Sequence, residues 1–136
     1  MIFAIFRKRM TKVAVGIVKK NGKILVCQRK KGSRYGLKWE FPGGKFENGE
    51  TAEECLKREL WEELSIQTLF VEKKETQSAT YDDGGVFDVA YCFISEYEGE
   101  PKNNVFEQIR WVTVEELRKL DILEGNKEFV GKLEIR

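Results

Sequence analysis

An acid-rich segment from Glu47 to Glu63 constrains this chain more than any other part of its sequence. It holds seven glutamates against two cations, and Thr51 with Glu54 forms the capping-box pattern that begins a helix. At about 100° per residue, the apolar residues that follow gather on one arc, which must face a core. They are Ala52, Cys55, Leu56, Leu60 and Leu64. The segment therefore predicts an amphipathic helix over about residues 52–64.

Three of the glutamates lie where an ordinary surface helix would not place them. Glu59 and Glu63, four residues apart, fall inside the apolar arc, and Glu62 lies at its edge. Like charges placed this way repel by roughly 1 to 4 kcal/mol per pair, and a divalent cation would convert that repulsion into coordination. Because only oxygen ligands are offered, we expect Mg²⁺, with Mn²⁺ as a substitute. The alternative is a solvated acidic face, which describes Glu54.

The side chains that are absent from the sequence narrow the chemistry further. The 136 residues include no histidine, which excludes Ser-His-Asp catalysis, Cys-His catalysis and His-ligated zinc. The three cysteines, Cys27, Cys55 and Cys92, are too few for a four-cysteine zinc site and are expected to be reduced. A net charge of +1 provides no general attraction for nucleic-acid polymers or membranes. With histidine and cysteine sites excluded, carboxylates are the main side chains left for catalysis or metal binding.

The order of strand and helix patterns predicts an α/β fold. A hairpin turn is expected at Asn21–Gly22, and a short extended piece at Trp39–Phe41 ends in a turn at Pro42–Gly44. Strands are predicted at residues 11–18, 23–29, 69–72, 86–95 and 108–112, and two later helices at 114–120 and 127–135. With strands on both sides of the central helix, the expected architecture is a mixed β-sheet sandwiched between α-helices.

The N-terminal residues are expected to lie outside this pattern. Ile2–Phe6 is apolar but runs into three basic residues, which is the opposite order from a secretory signal. No stretch approaches the roughly 20 apolar residues of a membrane helix. We therefore predict one cytoplasmic domain over residues 1–136, with 1–9 as an N-terminal extension and translation starting at Met1 or Met10. The protein is expected to be a monomer or a homodimer, in which Ile2–Phe6 could pair between subunits.

A spaced pattern connects the loop before the acidic helix with the residues after its last turn. It reads Gly44-x5-Glu50-x7-Arg58-Glu59-Leu60-x-Glu62-Glu63-x-Ser65-Ile66. This pattern resembles the Nudix box, the signature of the Nudix hydrolase family, at every specified position except Ser65, where the family has glycine. Serine stands where a left-handed C-cap is expected and should cost about 1 kcal/mol, but this position is not a metal ligand in the family.

Matches outside the box indicate one branch of the family. Residues 39–45, Trp-Glu-Phe-Pro-Gly-Gly-Lys, resemble the MutT-type branch, which hydrolyses oxidised purine nucleotides. Asn126 stands where that branch carries its base-recognising asparagine, so the resemblance assigns base recognition to Asn126 and Phe41. The alternative is that Asn126, which follows Gly125, makes a turn or caps a final helix. The resemblance extends from about residue 11 to the C-terminus.

The resemblance implies a magnesium-dependent attack on phosphorus. The Gly44 carbonyl with Glu59, Glu62 and Glu63 would hold Mg²⁺, and the metal would lower the pKa of a bound water that becomes the nucleophile. Arg58 would orient Glu59 and the helix. The products would be a nucleoside monophosphate and pyrophosphate, most simply from 8-oxo-dGTP, which is the chemistry of nucleotide-pool sanitation and DNA repair.

Roles outside the metal site follow from the same resemblance. Arg29 and Lys45 would bind phosphates, Arg29 in a bidentate manner. The general base would be either Glu59 or Glu107, which comes from a distant loop. For Glu107 an ordinary surface position is the alternative.

Related activities stay open at this stage. A CTP-type or broad-specificity nucleotide pyrophosphohydrolase shares the same glycine-rich loop. The ADP-ribose branch has a proline downstream of the box, and none occurs here between Pro42 and Pro101. Dinucleoside polyphosphate hydrolases carry a tyrosine in that region, and Tyr81 lies one residue away from the position where that tyrosine is expected. In a different class, the same fold serves as a non-catalytic nucleotide-binding module, but such a module loses carboxylates that this chain keeps.

Overall fold

The computed structural model describes residues 10–135, so the strand considered at Ile2–Phe6 lies outside the described residues. Within that range the strands are β1 (Thr11–Lys20), β2 (Lys23–Gln28), β3 (Trp39–Glu40), β4 (Gly43–Lys45), β5 (Gln67–Thr80), β6 (Val86–Glu98) and β7 (Gln108–Val112). The helices are α1 (Ala52–Leu64), α2 (Val114–Arg118) and α3 (Lys127–Lys132), with a 3₁₀ turn at Glu124–Asn126. None of the helices in this range is long and apolar enough to span a bilayer.

β1 is the strand on which the rest of the sheet is built. It pairs antiparallel with β4, where Ala14 lies opposite Gly44, and parallel with β6, where Ala14 lies opposite Ala90. The end of β1 turns into β2, and β2 in turn pairs with β3 and β7. The turn residues Asn21 and Gly22 have φ of 52° and 76°, the hairpin geometry that this dipeptide favours. The predicted mixed sheet and its first hairpin are confirmed.

Helices cover both faces of the sheet. The arc predicted for α1 is buried against one face, together with Ala90, Cys92 and Ile94 of β6. The alternate residues Tyr91 and Phe93 point to the other face, where they join the core that includes α2 and α3. The α/β sandwich predicted from the sequence is therefore confirmed. All three cysteines are buried free thiols, as expected.

Two strands differ from the sequence prediction. β5 was expected at residues 69–72 but runs from Gln67 to Thr80 at an edge of the sheet. The residues after 72 are mostly polar and alternate between half-buried and exposed positions, so their hydrophobicity contains no strand signal. Pairing with β6 holds them extended, with Thr76 opposite Ala90.

The later helices end earlier than predicted, at Arg118 and Lys132.

The second difference is β4, since the turn predicted at Pro42–Gly44 is in fact the beginning of a strand. Gly43 has a φ of 152° and lies so close to the Ala14 carbonyl that any side chain would overlap it. Only glycine permits this approach to β1. The glycine-rich loop is therefore fixed to the sheet by backbone pairing.

Ser65 ends α1 in the left-handed conformation that the sequence predicted, with φ 56° and ψ 31°. Its hydroxyl accepts a hydrogen bond from Asn104 Nδ2 at 2.9 Å, which offsets part of the backbone cost. We expect Ser65→Gly to raise the free energy of unfolding by about 0.5 to 1 kcal/mol. Ser65→Ala keeps the strained backbone, loses the hydrogen bond and should lower it. Urea denaturation measures both, and Ser65→Gly falling below Ser65→Ala would contradict this account of the cap.

Candidate active site

The centre of the site is the junction between α1 and the glycine loop. A Cβ on Gly44 would lie 2.5 Å from the carboxylate carbon of Glu59. Gly43 donates its N–H to Glu63 Oε1 at 2.9 Å. Because β4 is paired to β1 and α1 packs on the same sheet, both glutamates are held against backbone that carries no side chain. The loop and two of the carboxylates selected from the sequence are therefore in contact.

Arg58 connects the parts of this junction. Its Nε and Nη2 donate to the two oxygens of Glu50 at 2.8 and 2.9 Å, and its Nη1 donates to Glu59 Oε1 at 2.7 Å. Nη2 also donates to the Lys45 carbonyl at 3.1 Å. The bidentate pairing with Arg58 is the main reason why the pKa of Glu50 is held at about 2. These contacts are what is expected if Glu50 anchors Arg58 and Arg58 orients Glu59.

Burial changes the proton affinity of the two inner glutamates. Burial raises the pKa of Glu63 to about 8, mainly because it removes the carboxyl from water. The negative charge of Glu59 is the second cause of this increase. Burial also raises the pKa of Glu59, although the hydrogen bond and positive charge of Arg58 act in the opposite direction. Glu62 is different, because its side chain is 56% exposed and lies 3.5 Å from Arg58 Nη1. The surroundings of the inner pair therefore disfavour the ionised form of both carboxyls.

The donor set suits a hard divalent cation, although the ligands are not gathered around one point. Among residues 10–135, no three acidic or thiol side chains converge closely enough to form a ready-made metal site. Glu59 turns to Arg58, Glu63 to the Gly43 amide and Glu62 to the solvent side of Arg58. The predicted ligands are nonetheless all oxygens, and a cation such as Mg²⁺ would stabilise the ionised form of the inner pair that burial disfavours.

The burial of the Glu63 carboxyl predicts how the stability of the metal-free protein responds to pH. Its pKa is raised from 4.5 to about 8 on folding, so the folded protein holds a proton that the unfolded chain releases in this window. The free energy of unfolding should therefore fall as the pH rises through the window, by roughly 2 to 4 kcal/mol after solvent screening. The lowered pKa values of Glu50 and Asp83 act at more acidic pH. Urea denaturation in EDTA at several pH values measures the slope.

A matched variant and the metal provide the controls for this slope. Glu63→Gln removes the group with the largest shift and should make the slope shallower, while Glu59 and Glu40, whose pKa values burial also raises, leave a smaller slope of the same sign. Saturating Mg²⁺ should also flatten the profile for the wild type, because the cation stabilises the charged carboxylate. A wild-type stability that rises with pH across the window would contradict our assignment of Glu63 as a buried carboxyl with a raised pKa.

A cavity of about 490 Å³ opens beside this junction. Its wall includes a carboxylate predicted to bind metal, cations, aromatic rings and a side-chain amide. The carboxylate is Glu63, the cations include Arg29, Arg34 and Lys45, the aromatic rings include Tyr35, Tyr81 and Phe87, and the amide is Asn126. A single space thus provides ligands for phosphate, a surface for an aromatic base and a polar group to read its edge.

Asn126 is buried, with 5% of its surface exposed, and it lines the cavity. Its Nδ2 donates to the hydroxyl of Tyr91 at 2.9 Å. Although Asn126 directly precedes α3, its side chain makes no capping hydrogen bond. The turn alternative is found, since Asn126 ends the 3₁₀ turn Glu124–Asn126, whereas its side chain does not cap the helix. Contact with a base stays a prediction.

The two predicted phosphate ligands differ in their surroundings. Lys45 is exposed and lines the cavity. Arg29 also lines it, but Nη1 donates to Glu40 Oε2 at 2.9 Å and Nε to the Arg34 carbonyl at 2.8 Å. Two nitrogens of Arg29 are thus engaged by the protein, and a bidentate phosphate contact would have to compete with Glu40.

Several predicted site residues do not line the cavity: Arg58, Glu59 and Glu62 of α1, and also Phe41 and Glu107. Phe41 is 2% exposed and packs edge-on against Tyr91 and Phe129, at centroid distances of 6.2 and 5.8 Å. Glu107 Oε1 accepts a hydrogen bond from the Lys31 N–H at 3.2 Å. Phe41 therefore supports the cavity from behind, and Glu107 is attached to the loop after β2.

Sequence reasoning missed a contact between two loops beside the cavity. Asp83 Oδ2 accepts hydrogen bonds from Arg34 Nη2 at 2.7 Å and from the Tyr35 hydroxyl at 2.6 Å. Tyr35 also stacks on Tyr81 with ring centroids 4.8 Å apart. The partners are almost 50 positions apart, so no local pattern could have indicated that they meet.

Comparison with known proteins matches residues 10–133 to the model of the NUDIX domain. The 8-oxo-dGTP diphosphatase of Haemophilus influenzae is 32% identical over 127 residues, which are 93% of each chain. The CTP pyrophosphohydrolase of Escherichia coli is 30% identical over 108 residues, 79% of each chain. Among solved structures, the E. coli ORF135 protein has a TM-score of 0.79 at 26% identity and covers 90% of this chain with 87% of its own. The residues matched to the domain model, 10–133, include α1 and the side chains that line the cavity.

Proposed function

The chain belongs to the NUDIX family and is a pyrophosphohydrolase, and from that premise we propose that it hydrolyses an oxidised purine nucleoside triphosphate such as 8-oxo-dGTP. The products would be the nucleoside monophosphate and pyrophosphate. The observation that carries the proposal is the single cavity that connects Asn126 with Glu63 and the Gly43–Gly44 backbone. A base at Asn126 and a triphosphate at the glycine loop then belong to one substrate. This activity would remove damaged nucleotides before they enter DNA.

The glutamates of α1 form the reacting end of the proposed site. Glu59, Glu62 and Glu63 with the Gly44 carbonyl would hold Mg²⁺, or Mn²⁺ in its place, which when bound supplies Lewis acidity and an activated water. Arg58 keeps Glu59 at the loop through the hydrogen bond between them. Glu59 is favoured over Glu107 as the general base because it lies against Gly44.

Cationic side chains would bind the phosphates. Lys45 faces the cavity from β4, next to the backbone that contacts the carboxylates. Arg29 would contribute a second positive charge once its ion pair with Glu40, now at 2.9 Å, is shared with a phosphate oxygen. Both cations would neutralise charge on the phosphates.

Asn126 would distinguish oxidised from ordinary purines. Guanine offers an acceptor at N7, whereas 8-oxoguanine carries an N–H there, and a side-chain amide has both a donor and an acceptor to offer. The buried amide of Asn126 would be left unsatisfied by the wrong base, which is a strong form of discrimination.

Pyrophosphate release across a substrate panel with Mg²⁺ tests this proposal. The panel contains 8-oxo-dGTP, dGTP, CTP, dCTP and ADP-ribose. We expect a preference for 8-oxo-dGTP, and Asn126→Ala should lower kcat/KM for it by roughly 10- to 100-fold while changing dGTP only a few-fold. Equal losses for both nucleotides would contradict base recognition by Asn126.

A cytosine nucleotide is the second candidate substrate, because a CTP pyrophosphohydrolase is 30% identical to this chain. Cytosine also presents an amino donor that an amide can bind. A preference for CTP or dCTP in the panel would select this candidate. A non-catalytic binding module would bind nucleotide without Mg²⁺ and release no pyrophosphate from any substrate.

The same proposal extends to the organisation of the protein. Residues 1–136 would form one domain, with a nucleotide as the partner and neither a nucleic-acid polymer nor a membrane required. We propose a cytoplasmic location, where free nucleotides are found, and a monomer or a homodimer.

A further inference from the structure

A tyrosine that has no place in the proposed chemistry lies directly behind Asn126. Tyr91 of β6 is fully buried, and its ring stacks on Phe129 of α3 with centroids 3.8 Å apart and planes 9° apart. Its hydroxyl lies 2.9 Å from Asn126 Nδ2 and 3.3 Å from the Gly125 carbonyl oxygen. The hydroxyl therefore joins the side chain of Asn126 to the backbone that precedes it.

The donor and acceptor roles in this group are determined by its chemistry. A carbonyl oxygen can only accept, so the hydroxyl of Tyr91 donates its one hydrogen to Gly125. The oxygen of Tyr91 then has only lone pairs left, and the amide of Asn126 must approach it with Nδ2. The reversed amide would place two acceptors against each other. Tyr91 thus selects one of the two orientations of the Asn126 amide.

The Gly125 peptide packs closely against a second tyrosine. A Cβ on Gly125 would overlap the ring and hydroxyl of Tyr81. Gly125 is therefore held between Tyr81 and Tyr91. In this packed position the Gly125 carbonyl is the acceptor toward which the hydroxyl of Tyr91 points.

We propose that Tyr91 is a positioning residue that locks the Asn126 amide so that Oδ1 is presented to an N–H donor on the edge of the bound base. The inference rests on the proposed function, since it concerns the same cavity. A base with an acceptor at that edge, such as the N7 of an ordinary purine, meets oxygen and is rejected. The N–H of an 8-oxopurine satisfies Oδ1.

A double-mutant cycle tests the proposal. The variants are Tyr91→Phe, Asn126→Ala and the two combined, with Tyr97→Phe of the same strand as the matched control. Tyr91→Phe keeps the ring and its stack on Phe129, so circular dichroism should show an unchanged fold. We expect it to lower the ratio of kcat/KM for 8-oxo-dGTP over dGTP at least ~10-fold, mainly through KM, while kcat changes less than ~3-fold. The double variant should discriminate no worse than Asn126→Ala alone.

Additive effects in the cycle, or a Tyr91→Phe ratio within ~2-fold of the wild type, would overturn the proposal. If the wild type prefers a different nucleotide, the proposed substrate is wrong, and the same cycle on the preferred nucleotide decides the role of Tyr91 separately.

Hydrogen exchange of the Asn126 side-chain amide gives a readout that needs no turnover. The resonance, identified by its loss in Asn126→Ala, should exchange slowly in the wild type and at least ~10-fold faster in Tyr91→Phe; equal rates would overturn the proposal.

Discussion

Replacing Glu63 with glutamine should lower kcat by roughly 10³-fold and at the same time stabilise the metal-free protein. The glutamine carbonyl can still accept the hydrogen bond from Gly43, so the loop stays in place. What is lost is a buried carboxyl, whose burial raises the pKa of Glu63 to about 8, so that folding at neutral pH requires the uptake of a proton. Glutamine cannot ionise to bind Mg²⁺, but its folding no longer carries the cost of protonating the carboxylate or burying its charge.

Two measurements on this variant separate the site from the fold. Initial rates with Mg²⁺ measure kcat, and urea denaturation in EDTA at neutral pH should show a gain of about 1 to 3 kcal/mol. Glu53→Gln is the matched control, because its side chain lies on the same helix, is 42% exposed and faces Lys74. The control should change neither quantity. Wild-type rates in Glu63→Gln, or a loss of stability, would refute our assignment of Glu63.

Arg58→Met should destabilise the protein by about 2 to 4 kcal/mol and lower kcat at least ~10²-fold. The variant keeps the length of the side chain but leaves the carboxylates of Glu50 and Glu59 and the Lys45 carbonyl without their donor. Glu59 would then no longer be held toward the glycine loop. The stability and kcat of Arg58→Lys should lie between those of the wild type and Arg58→Met, because an ammonium keeps the charge but cannot reproduce the bidentate pairing.

The neighbouring cation is the control for this prediction. Lys57 is exposed on the outer side of α1, and Lys57→Met should change the free energy of unfolding by less than about 0.5 kcal/mol. Urea denaturation of the three variants measures the order of stability. A cost for Arg58→Met as small as that for Lys57→Met would show that Arg58 does not hold the junction together.

The sequence was most informative where one element determines its own structure. The bounds of α1, its capping box at Thr51 and its buried arc were all predicted correctly, because a helix periodicity and a cap are local signals. The bounds of β7, Gln108–Val112, were also predicted correctly. Ser65 could be placed in a left-handed C-cap because it occupies a position at which glycine is expected.

The sequence was least informative where the structure depends on partners distant in the chain. β5 is extended because β6 pairs with it, and its own polar residues gave no sign of this. The contact between Asp83 and Tyr35 and the support of Asn126 by Tyr91 likewise join segments far apart in sequence. Phe41 was assigned to the base by resemblance, but its burial against Tyr91 became visible only in the fold.

The most direct test of the central claim is phosphorus NMR of the products formed from the preferred nucleoside triphosphate. Wild-type protein with Mg²⁺ should yield pyrophosphate and the nucleoside monophosphate in equal amounts. EDTA should abolish the reaction, and Glu63→Gln should nearly do so. Release of orthophosphate with a nucleoside diphosphate, or pyrophosphate release that EDTA does not affect, would contradict a magnesium-dependent pyrophosphohydrolase at the glutamate helix.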